Sequence, residues 1–313
     1  MMKTKLAKAI TLAVAGAALS AAASTASAHT MYNTAIRTGL DAQGVPNRIS
    51  GTDGWVYNGI GNPSYPVANP GWVGTSSGSI STSLPFGYAG TSHLNWAAEL
   101  HSAGSSLEIS KADALSRYGS LISDVEIDTG AGAWQDAGLG PNGLPTANGP
   151  TGWKHQTDIG LIMVEEKMWV TLNPTVVTGT GYDIQNFGIT VFEGMDTNTG
   201  AYVHHGSWNC PACLSQGQPA PKPFDANNPF GTAGLTYLAH DGTVDGLSGL
   251  TFLAEANQVY SIYLGGSGVG RWNANVADYS LAISTAPVPV PGAVWLFGSA
   301  LAGLVGLRRR KAV

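Results

Sequence analysis

Short strand-like runs, rich in apolar residues, recur through the second half of the chain, and Gly, Asn, Pro and Asp turns separate these runs. Runs of four to eight such residues between turn residues are typical of β-strands. The regular spacing of the runs favours a mainly β fold, an antiparallel β-sandwich or jelly-roll-like body. The predicted strands cover residues 158–164, 168–172, 187–192, 250–254, 259–264 and 279–284.

One segment carries helix signals instead. Residues 110–119 read SKADALSRYG, in which Ser110 can cap the first turn and Gly119 can end the last one. The first half of the chain is less regular, and residues 138–152 are too rich in Gly and Pro for a strand. We treat 138–152 as a candidate sub-boundary and favour a single body over residues 29–286.

The amino-terminal segment has the pattern of a secretory signal peptide. Three lysines among the first eight residues precede an apolar stretch over 9–23, and residues 26–28 read Ala-Ser-Ala. Signal peptidase recognises such a small-x-small triplet. We therefore expect cleavage after Ala28, which makes His29 the first residue of the mature protein.

The carboxy-terminal segment, residues 287–313, has the pattern of a membrane-anchored tail. It begins PVPVP, continues with 16 predominantly apolar residues over 292–307 and ends in a basic cluster over 308–311. The apolar run is just short of the roughly 17–25 residues of an ordinary spanning helix. The basic cluster fits a cytoplasmic stop. We therefore expect a transmembrane helix that at first holds the tail in the inner membrane. Residues 29–286 would then lie on the outer side of that membrane.

This order of elements resembles the PEP-CTERM sorting signal, although Val290 stands where that family often has Glu. The resemblance implies that an exosortase removes the tail and that the protein reaches the cell surface or the exopolysaccharide matrix. The residues that carry the signal are Pro289, Pro291, Arg308, Arg309 and Arg310.

The acidic residues are concentrated in the body. All 20 of them lie there, whereas seven of the 15 basic residues lie in the two end segments. The body therefore has eight basic residues and a formal charge of −12, against −5 for the whole chain. Such a surface argues against nucleic acid or anionic lipid as a partner, and it suits a matrix protein or one that attracts cations.

Sequence motifs of catalysis are mostly absent. No His-Glu-x-x-His helix or phosphate-binding loop occurs, so we expect a non-enzymatic protein. The adjacent Glu165 and Glu166 are expected in a solvated turn between strands. The two cysteines, Cys210 and Cys213, are expected to form a disulfide in an oxidising compartment. Metal binding by their thiolates is the other interpretation.

Histidines recur in positions that strand geometry makes informative. Residues 93–101 read HLNWAAELH, so His93, Glu99 and His101 share one face of a predicted strand. We expect that face to be solvated, and we expect the alternate residues, with Trp96 among them, to face the core.

Four residues in the second half are candidate metal ligands. On a strand Trp153 and His155 point the same way, whereas the adjacent His204 and His205 point to opposite sides, so at most one of these two joins the pair. Imidazole suits copper and zinc, and a two-histidine site with few hard ligands favours Cu(I).

The Trp-x-His pair, a histidine about 50 residues further on, the GLTYL segment at 234–238 and the surface address look like the copper-repressed copper-binding proteins of methanotrophs, the CorA/MopE type. The similarity covers residues 150–285. In that family two histidines and a tryptophan oxidised to kynurenine hold copper outside the cell. The resemblance implies copper ligands at Trp153 and His155, with His204 or His205 as the second imidazole.

Two other functions stay open beside a non-enzymatic copper-binding protein of the cell surface. His29, once free at the amino terminus, can chelate copper through its amine and ring, as in lytic polysaccharide monooxygenases, which makes a copper-dependent oxidase one alternative. The second alternative is a structural or carbohydrate-binding component of the exopolysaccharide or biofilm matrix. Its stacking platforms would be exposed aromatic residues such as Trp55, Trp72 and Trp208.

Overall fold

The strand-like runs of the sequence form strands in two β-sheets that share one core. A computed structural model of the protein describes residues 28–34, 71–75, 80–81, 83–90, 94–119, 125, 127–136, 157–180, 184–199, 227, 229, 232–268 and 276–289. The elements within them are β1 (Ala28–Asn33), β2 (Trp72–Val73), a 3-10 helix (Pro85–Gly87), β3 (Trp96–Leu100), β4 (Ser106–Ile109), α1 (Lys111–Tyr118), β5 (Asp128–Gly130), β6 (Gln135–Asp136), β7 (Asp158–Val164), β8 (Met168–Val176), β9 (Ile184–Thr199), β10 (Thr232–Val244), β11 (Leu250–Ala254), β12 (Gln258–Gly268) and β13 (Val276–Pro287). The predicted mainly β fold is confirmed.

The two sheets differ in how their strands run. The larger sheet has the order β10-β9-β12-β7-β3-β1-β2 with β6 added to β12, and the smaller has the order β11-β8-β13-β4 with β5 added to β13. All pairs of the smaller sheet are antiparallel, whereas β3 with β7 and β6 with β12 are parallel pairs in the larger sheet. A parallel pair needs a long crossover, and the chain between β3 and β7 visits the smaller sheet as β4 and β5. The larger sheet is therefore mixed, which corrects the expected antiparallel topology.

Strands from either side of the Gly/Pro-rich segment 138–152 share both sheets. β3 pairs with β7, and β4 and β5 both pair with β13. That segment lies outside the described residues, and so do residues 1–27 and 290–313 with most of the expected signal peptide and the expected C-terminal helix. Within the described ranges no helix is both long and apolar enough to cross a membrane.

Some strands match their predicted limits and others extend beyond them. The predictions for 158–164 and 250–254 match β7 and β11, but 187–192 is only the middle of the 16-residue strand β9. Gly194 and Gly234 meet at an irregularity in the β9–β10 pairing, with positive φ angles of 95° and 88°. A β-carbon on Gly194 would lie 2.3 Å from the Gly234 carbonyl oxygen. These glycines therefore serve a bulge inside the ladder, although in the sequence they resemble turn signals.

The predicted helix is confirmed as α1. Ser110 precedes it with extended backbone angles, and its hydroxyl accepts a hydrogen bond of 3.0 Å from the backbone N–H of Asp113. Gly119 follows it with a φ of 53°, a conformation that glycine adopts at little cost. The helix begins and ends where its capping residues predict.

The main core lies between the two sheets. Trp96, Ala98 and Leu100 of β3 face it, as the alternating pattern predicts. At its centre the Trp96 indole N–H donates to the Tyr279 hydroxyl over 3.0 Å, and that hydroxyl donates to the Asp158 carboxylate over 2.5 Å. Burial, together with this carboxylate, raises the pKa of the Tyr279 hydroxyl well above its ordinary value. A hydrogen-bonded chain thus joins β3, β13 and β7 inside the core.

A second apolar cluster covers the opposite face of the larger sheet. Met31 of β1 and Ala97 of β3 belong to it, because side chains alternate between the two faces of a strand. Trp72 packs in the same cluster and is only 2% exposed, so it is a core residue and no stacking platform. Trp55 and Trp208 lie outside the described residues.

Candidate metal centre

Two histidines and a glutamate lie together where β1 pairs with β3. The antiparallel register sets His29 opposite Glu99 and Ala28 opposite Leu100. Because side chains alternate along a strand, Glu99 and His101 share one face of β3, and His29 projects from β1 on the same face. Within the part of the chain that the structure describes, this is the one group of three or more His, Cys, Asp or Glu ligand atoms that lie within 4.8 Å of one another.

The two imidazole rings of this group face each other. His29 Nδ1 lies 3.4 Å from His101 Nε2, and the ring centroids are 5.5 Å apart. The outer nitrogen of each ring meets a carboxylate. His29 Nε2 lies 3.1 Å from Glu99 Oε2, and His101 Nδ1 lies 2.9 Å from Glu165 Oε1. Two imidazoles are therefore held between two carboxylates.

These carboxylates determine which ring nitrogen carries the proton. A carboxylate accepts hydrogen bonds, so it favours the tautomer with the N–H on the nitrogen that faces it. That leaves a lone pair on His29 Nδ1 and another on His101 Nε2. These two nitrogens lie 3.4 Å apart. A cation shared by them, either a proton or a metal ion, stabilises this arrangement.

The separation of the two nitrogens fits a metal ion. Imidazole nitrogens bind zinc at about 2.0–2.1 Å, and two such bonds at the tetrahedral angle place the nitrogens roughly 3.3–3.4 Å apart. The distance between His29 Nδ1 and His101 Nε2 is 3.4 Å. Carboxylates on the outer ring nitrogens are the usual partners of metal-bound histidines. The two side chains are 39% and 27% exposed, so an ion can reach them from solvent.

The turn after β7 supplies the carboxylate behind His101. Glu165 and Glu166 lie in an exposed turn, as expected. The backbone N–H of Glu165 donates to the Leu100 carbonyl over 3.0 Å, which places its side chain beside His101. Glu166 instead accepts a hydrogen bond of 2.5 Å from the backbone N–H of Ala103. The two adjacent carboxylates thus have different partners, and one of them serves the imidazole pair.

The helix α1 holds β1 in place from the opposite face. The Asp113 carboxylate accepts hydrogen bonds from Thr30 Oγ1 (3.1 Å) and from the Tyr32 hydroxyl (2.8 Å). The Tyr118 hydroxyl donates to the Thr30 carbonyl over 2.5 Å. Burial, together with the Asp113 carboxylate, raises the pKa of the Tyr32 hydroxyl, so it stays a donor. These bonds keep His29 in position beside His101.

A further histidine lies in a different environment on β10. Its ring packs on the Trp134 indole with centroids 4.6 Å apart, and His240 Nδ1 lies 2.9 Å from Thr190 Oγ1. The Trp134 indole N–H donates to the Gly242 carbonyl over 3.1 Å. Burial lowers the pKa of His240 to about 4, against a smaller opposing effect of Asp241. His240 is therefore a neutral packing residue at neutral pH.

The ligands suggested by the Trp-x-His motif stay predictions. Most of the site residues expected from the sequence lie outside the described residues, namely Trp153, His155, His204, His205, Cys210, Cys213, Pro291, Arg308, Arg309 and Arg310. Of the sorting residues the structure describes Pro289, which is exposed just beyond β13.

Sequence reasoning did not identify Glu99 and His101 as part of a metal centre. It expected their face of β3 to be solvated, which is wrong because the second apolar cluster covers this face, where Asn95 and Ala97 are buried and the Glu99 side chain is 18% exposed. The shared strand parity of Glu99 and His101 was the available signal. The pairing with His29 joins residues about 70 positions apart, and no local pattern predicts it.

Comparisons with known proteins add a distant likeness. No protein-family model matches the chain, and a search of curated proteins found no match. Among solved structures, a match is the surface-associated copper-binding protein CorA, important in copper acquisition by Methylomicrobium album BG8. The match has 12% sequence identity, covers 61% of this chain and 98% of that one, and has a TM-score of 0.28. An overlap of that quality carries no argument about the fold or the site.

Proposed function

We propose that this chain is an exported, non-enzymatic protein of the cell surface or its matrix, and that it binds copper through His29 and His101. One observation carries the proposal. Two imidazole nitrogens lie 3.4 Å apart, with a carboxylate behind each ring. Neutral imidazoles are ligands of copper and zinc, and outer carboxylates orient them and raise their basicity.

Two features favour copper among the metals that imidazole binds, and a third favours cations in general. Cu(II) forms the tightest complexes of the divalent first-row metals with nitrogen and oxygen ligands. The parallel register of β3 and β7 sets Met163 beside Glu99 on the same face of the sheet. A thioether is a soft ligand that suits Cu(I). The body also carries a formal charge of −12, which attracts cations from solution.

Export is supported by the two ends of the sequence. The basic, apolar and small-x-small elements before His29 are typical of a signal peptide. The Pro-rich, apolar and basic elements after residue 286 resemble a surface-sorting signal. An exported protein meets copper outside the cell, where a half-exposed imidazole pair can capture it.

The test measures the copper that each chain retains. The full-length protein is expressed with its own signal, purified after export, loaded with copper and dialysed, and the metal is measured by elemental mass spectrometry. We expect near-stoichiometric copper that falls sharply in a His101→Ala variant. His155→Ala is the matched control, because it removes one histidine from the other predicted site and leaves β3 unchanged.

The outcomes separate the two predicted sites. Copper lost only in His155→Ala would move the site to the Trp-x-His motif and contradict the one proposed at His101. Two copper ions per chain, one lost in each variant, would place copper at both. Copper no higher than in a control protein would overturn metal binding and leave a structural or carbohydrate-binding matrix protein.

A further inference from the structure

We propose that removal of residues 1–28 completes the metal centre, because it converts the backbone nitrogen of His29 into a free amine that binds the same ion. The proposal deepens the copper-binding function above and rests on it. Its ligand set is the His29 amine, His29 Nδ1 and His101 Nε2, three nitrogens on one ion. Copper capture would then depend on processing of the protein.

The orientation of the His29 ring carries the first step. Of its two nitrogens, Nδ1 faces His101 Nε2 at 3.4 Å, while Nε2 turns to Glu99 at 3.1 Å. An ion bound at Nδ1 closes a six-membered ring with the α-nitrogen of the same residue. An ion bound at Nε2 could not, because the imidazole itself would lie between the two nitrogens. The ring nitrogen of His29 that faces His101 is thus the one that can share an ion with the amine of the same residue.

The chemistry of the α-nitrogen carries the second step. In the unprocessed chain this atom belongs to the peptide bond with Ala28, and its lone pair is delocalised into the carbonyl group. It is then a poor ligand at neutral pH. The triplet Ala-Ser-Ala at 26–28 predicts cleavage between Ala28 and His29, and hydrolysis there gives an amine with a free lone pair.

The position of β1 carries the third step. His29 is opposite Glu99 in the β1–β3 ladder, so its backbone stays beside His101 without the residues before it. The Tyr118 hydroxyl donates to the Thr30 carbonyl over 2.5 Å, immediately after His29. The new amino terminus is therefore held at the imidazole pair, and little conformational entropy is lost when the amine binds the ion.

The test compares two exported proteins that differ only in what precedes His29 after cleavage. One is the native protein, and the other has four residues (Val-Thr-Gln-Gln) inserted between Ala28 and His29, so that cleavage after Ala28 leaves His29 in a peptide bond. Intact mass establishes each amino terminus, and thermal unfolding establishes that each is folded. Cu(II) affinity is measured by competition with a chelator, and the number of bound nitrogens by electron paramagnetic resonance.

We expect the native protein to bind Cu(II) at least about tenfold more tightly, because the tethered amine acts at a high effective concentration. Its spectrum should show three nitrogens and that of the insertion variant two. Equal affinity and equal nitrogen counts would overturn the role of the amine while copper binding stood. Copper binding by neither protein would overturn both proposals. His101→Ala in each background separates the ring ligand from the amine.

A second measurement does not depend on folding of the variant. The α-amine of the folded native protein is acetylated selectively near neutral pH, since an ordinary α-amine has a pKa of about 7.7–8.0, well below the roughly 10.4 of lysine. We expect bound copper to slow this acetylation at least about tenfold, the same factor by which the tethered amine is expected to tighten copper binding. We also expect acetylated protein to bind copper as weakly as the insertion variant. An acetylation rate that is unchanged by copper would overturn the proposal.

Discussion

At the scale of single residues, the candidate metal centre depends on carboxylates as much as on imidazoles. Glu165 lies 2.9 Å from His101 Nδ1 and fixes the tautomer that leaves Nε2 free for an ion. We predict that Glu165→Gln weakens copper binding by about 10–100-fold, the usual effect of losing an outer-shell partner. Copper affinity measured by chelator competition checks this.

The adjacent residue provides a matched control for that substitution. Glu166 has the same charge and the same turn, but its carboxylate accepts from the Ala103 backbone rather than from His101. Glu166→Gln should therefore leave the copper affinity within about twofold, because surface charge alone acts weakly at moderate salt. Equal losses in Glu165→Gln and Glu166→Gln would show a general charge effect and contradict a specific role of Glu165.

At the scale of elements, the helix α1 and the strand β1 form one unit through Asp113. Its carboxylate accepts from Thr30 Oγ1 and from the Tyr32 hydroxyl. We predict that Asp113→Ala lowers the free energy of unfolding by about 1–3 kcal/mol, because the Tyr32 hydroxyl loses a charged acceptor. Hydrogen exchange should accelerate in residues 28–34, and copper affinity should fall as β1 frays.

The same helix supplies the comparison. Leu115 is 62% exposed on α1, so Leu115→Ala changes helix composition without touching β1, and its effect should stay within about 0.5 kcal/mol. Faster exchange of β1 in Leu115→Ala as well as in Asp113→Ala would mean that α1 stabilises the strand through its overall helicity. The specific hydrogen bonds of Asp113 would then not explain how His29 is held.

Element prediction succeeded where the signal was local. The ends of α1 follow from Ser110 and Gly119, β7 follows from an apolar run between turn residues, and β11 follows from side-chain alternation, because these signals involve neighbouring residues. The length of β9 did not follow, since Gly194 lies in a bulge and resembles a turn residue. Strand pairing depends on contacts between residues that are far apart in sequence, so local patterns do not predict it.

At the scale of the whole molecule, the site could be predicted only in part for the same reason. A mainly β body follows from composition and period, but the parallel pair β3–β7 follows from neither. Without the β3–β7 pairing, nothing in the sequence would distinguish Glu165 from an ordinary turn residue. Without the β1–β3 pair, His29 is an isolated residue at a processing point. The long-range topology, more than any motif, assembles the described imidazole pair.

The stability of the body should depend on acid through His240. Burial lowers the pKa of this imidazole from 6.5 to about 4. Between those values the unfolded chain binds a proton that the folded protein does not, so the free energy of unfolding falls as the pH decreases from 6.5 towards 4. Above 6.5 both states are neutral, and His240 contributes no dependence on pH. Protonation in place would also lose packing on the Trp134 indole, whose centroid is 4.6 Å from that of His240.

We predict that copper-free protein loses more stability between pH 7.5 and pH 4.5 than a His240→Gln variant does, by on the order of 2 kcal/mol. Urea unfolding of both proteins at both pH values, with a chelator present, measures the difference. Carboxylates titrate in both proteins, so the variant cancels their contribution. An equal loss in the two proteins would mean that His240 is protonated in the folded state as easily as in the unfolded one. Its ring would then have to reach water despite the indole and the Thr190 hydroxyl that now enclose it.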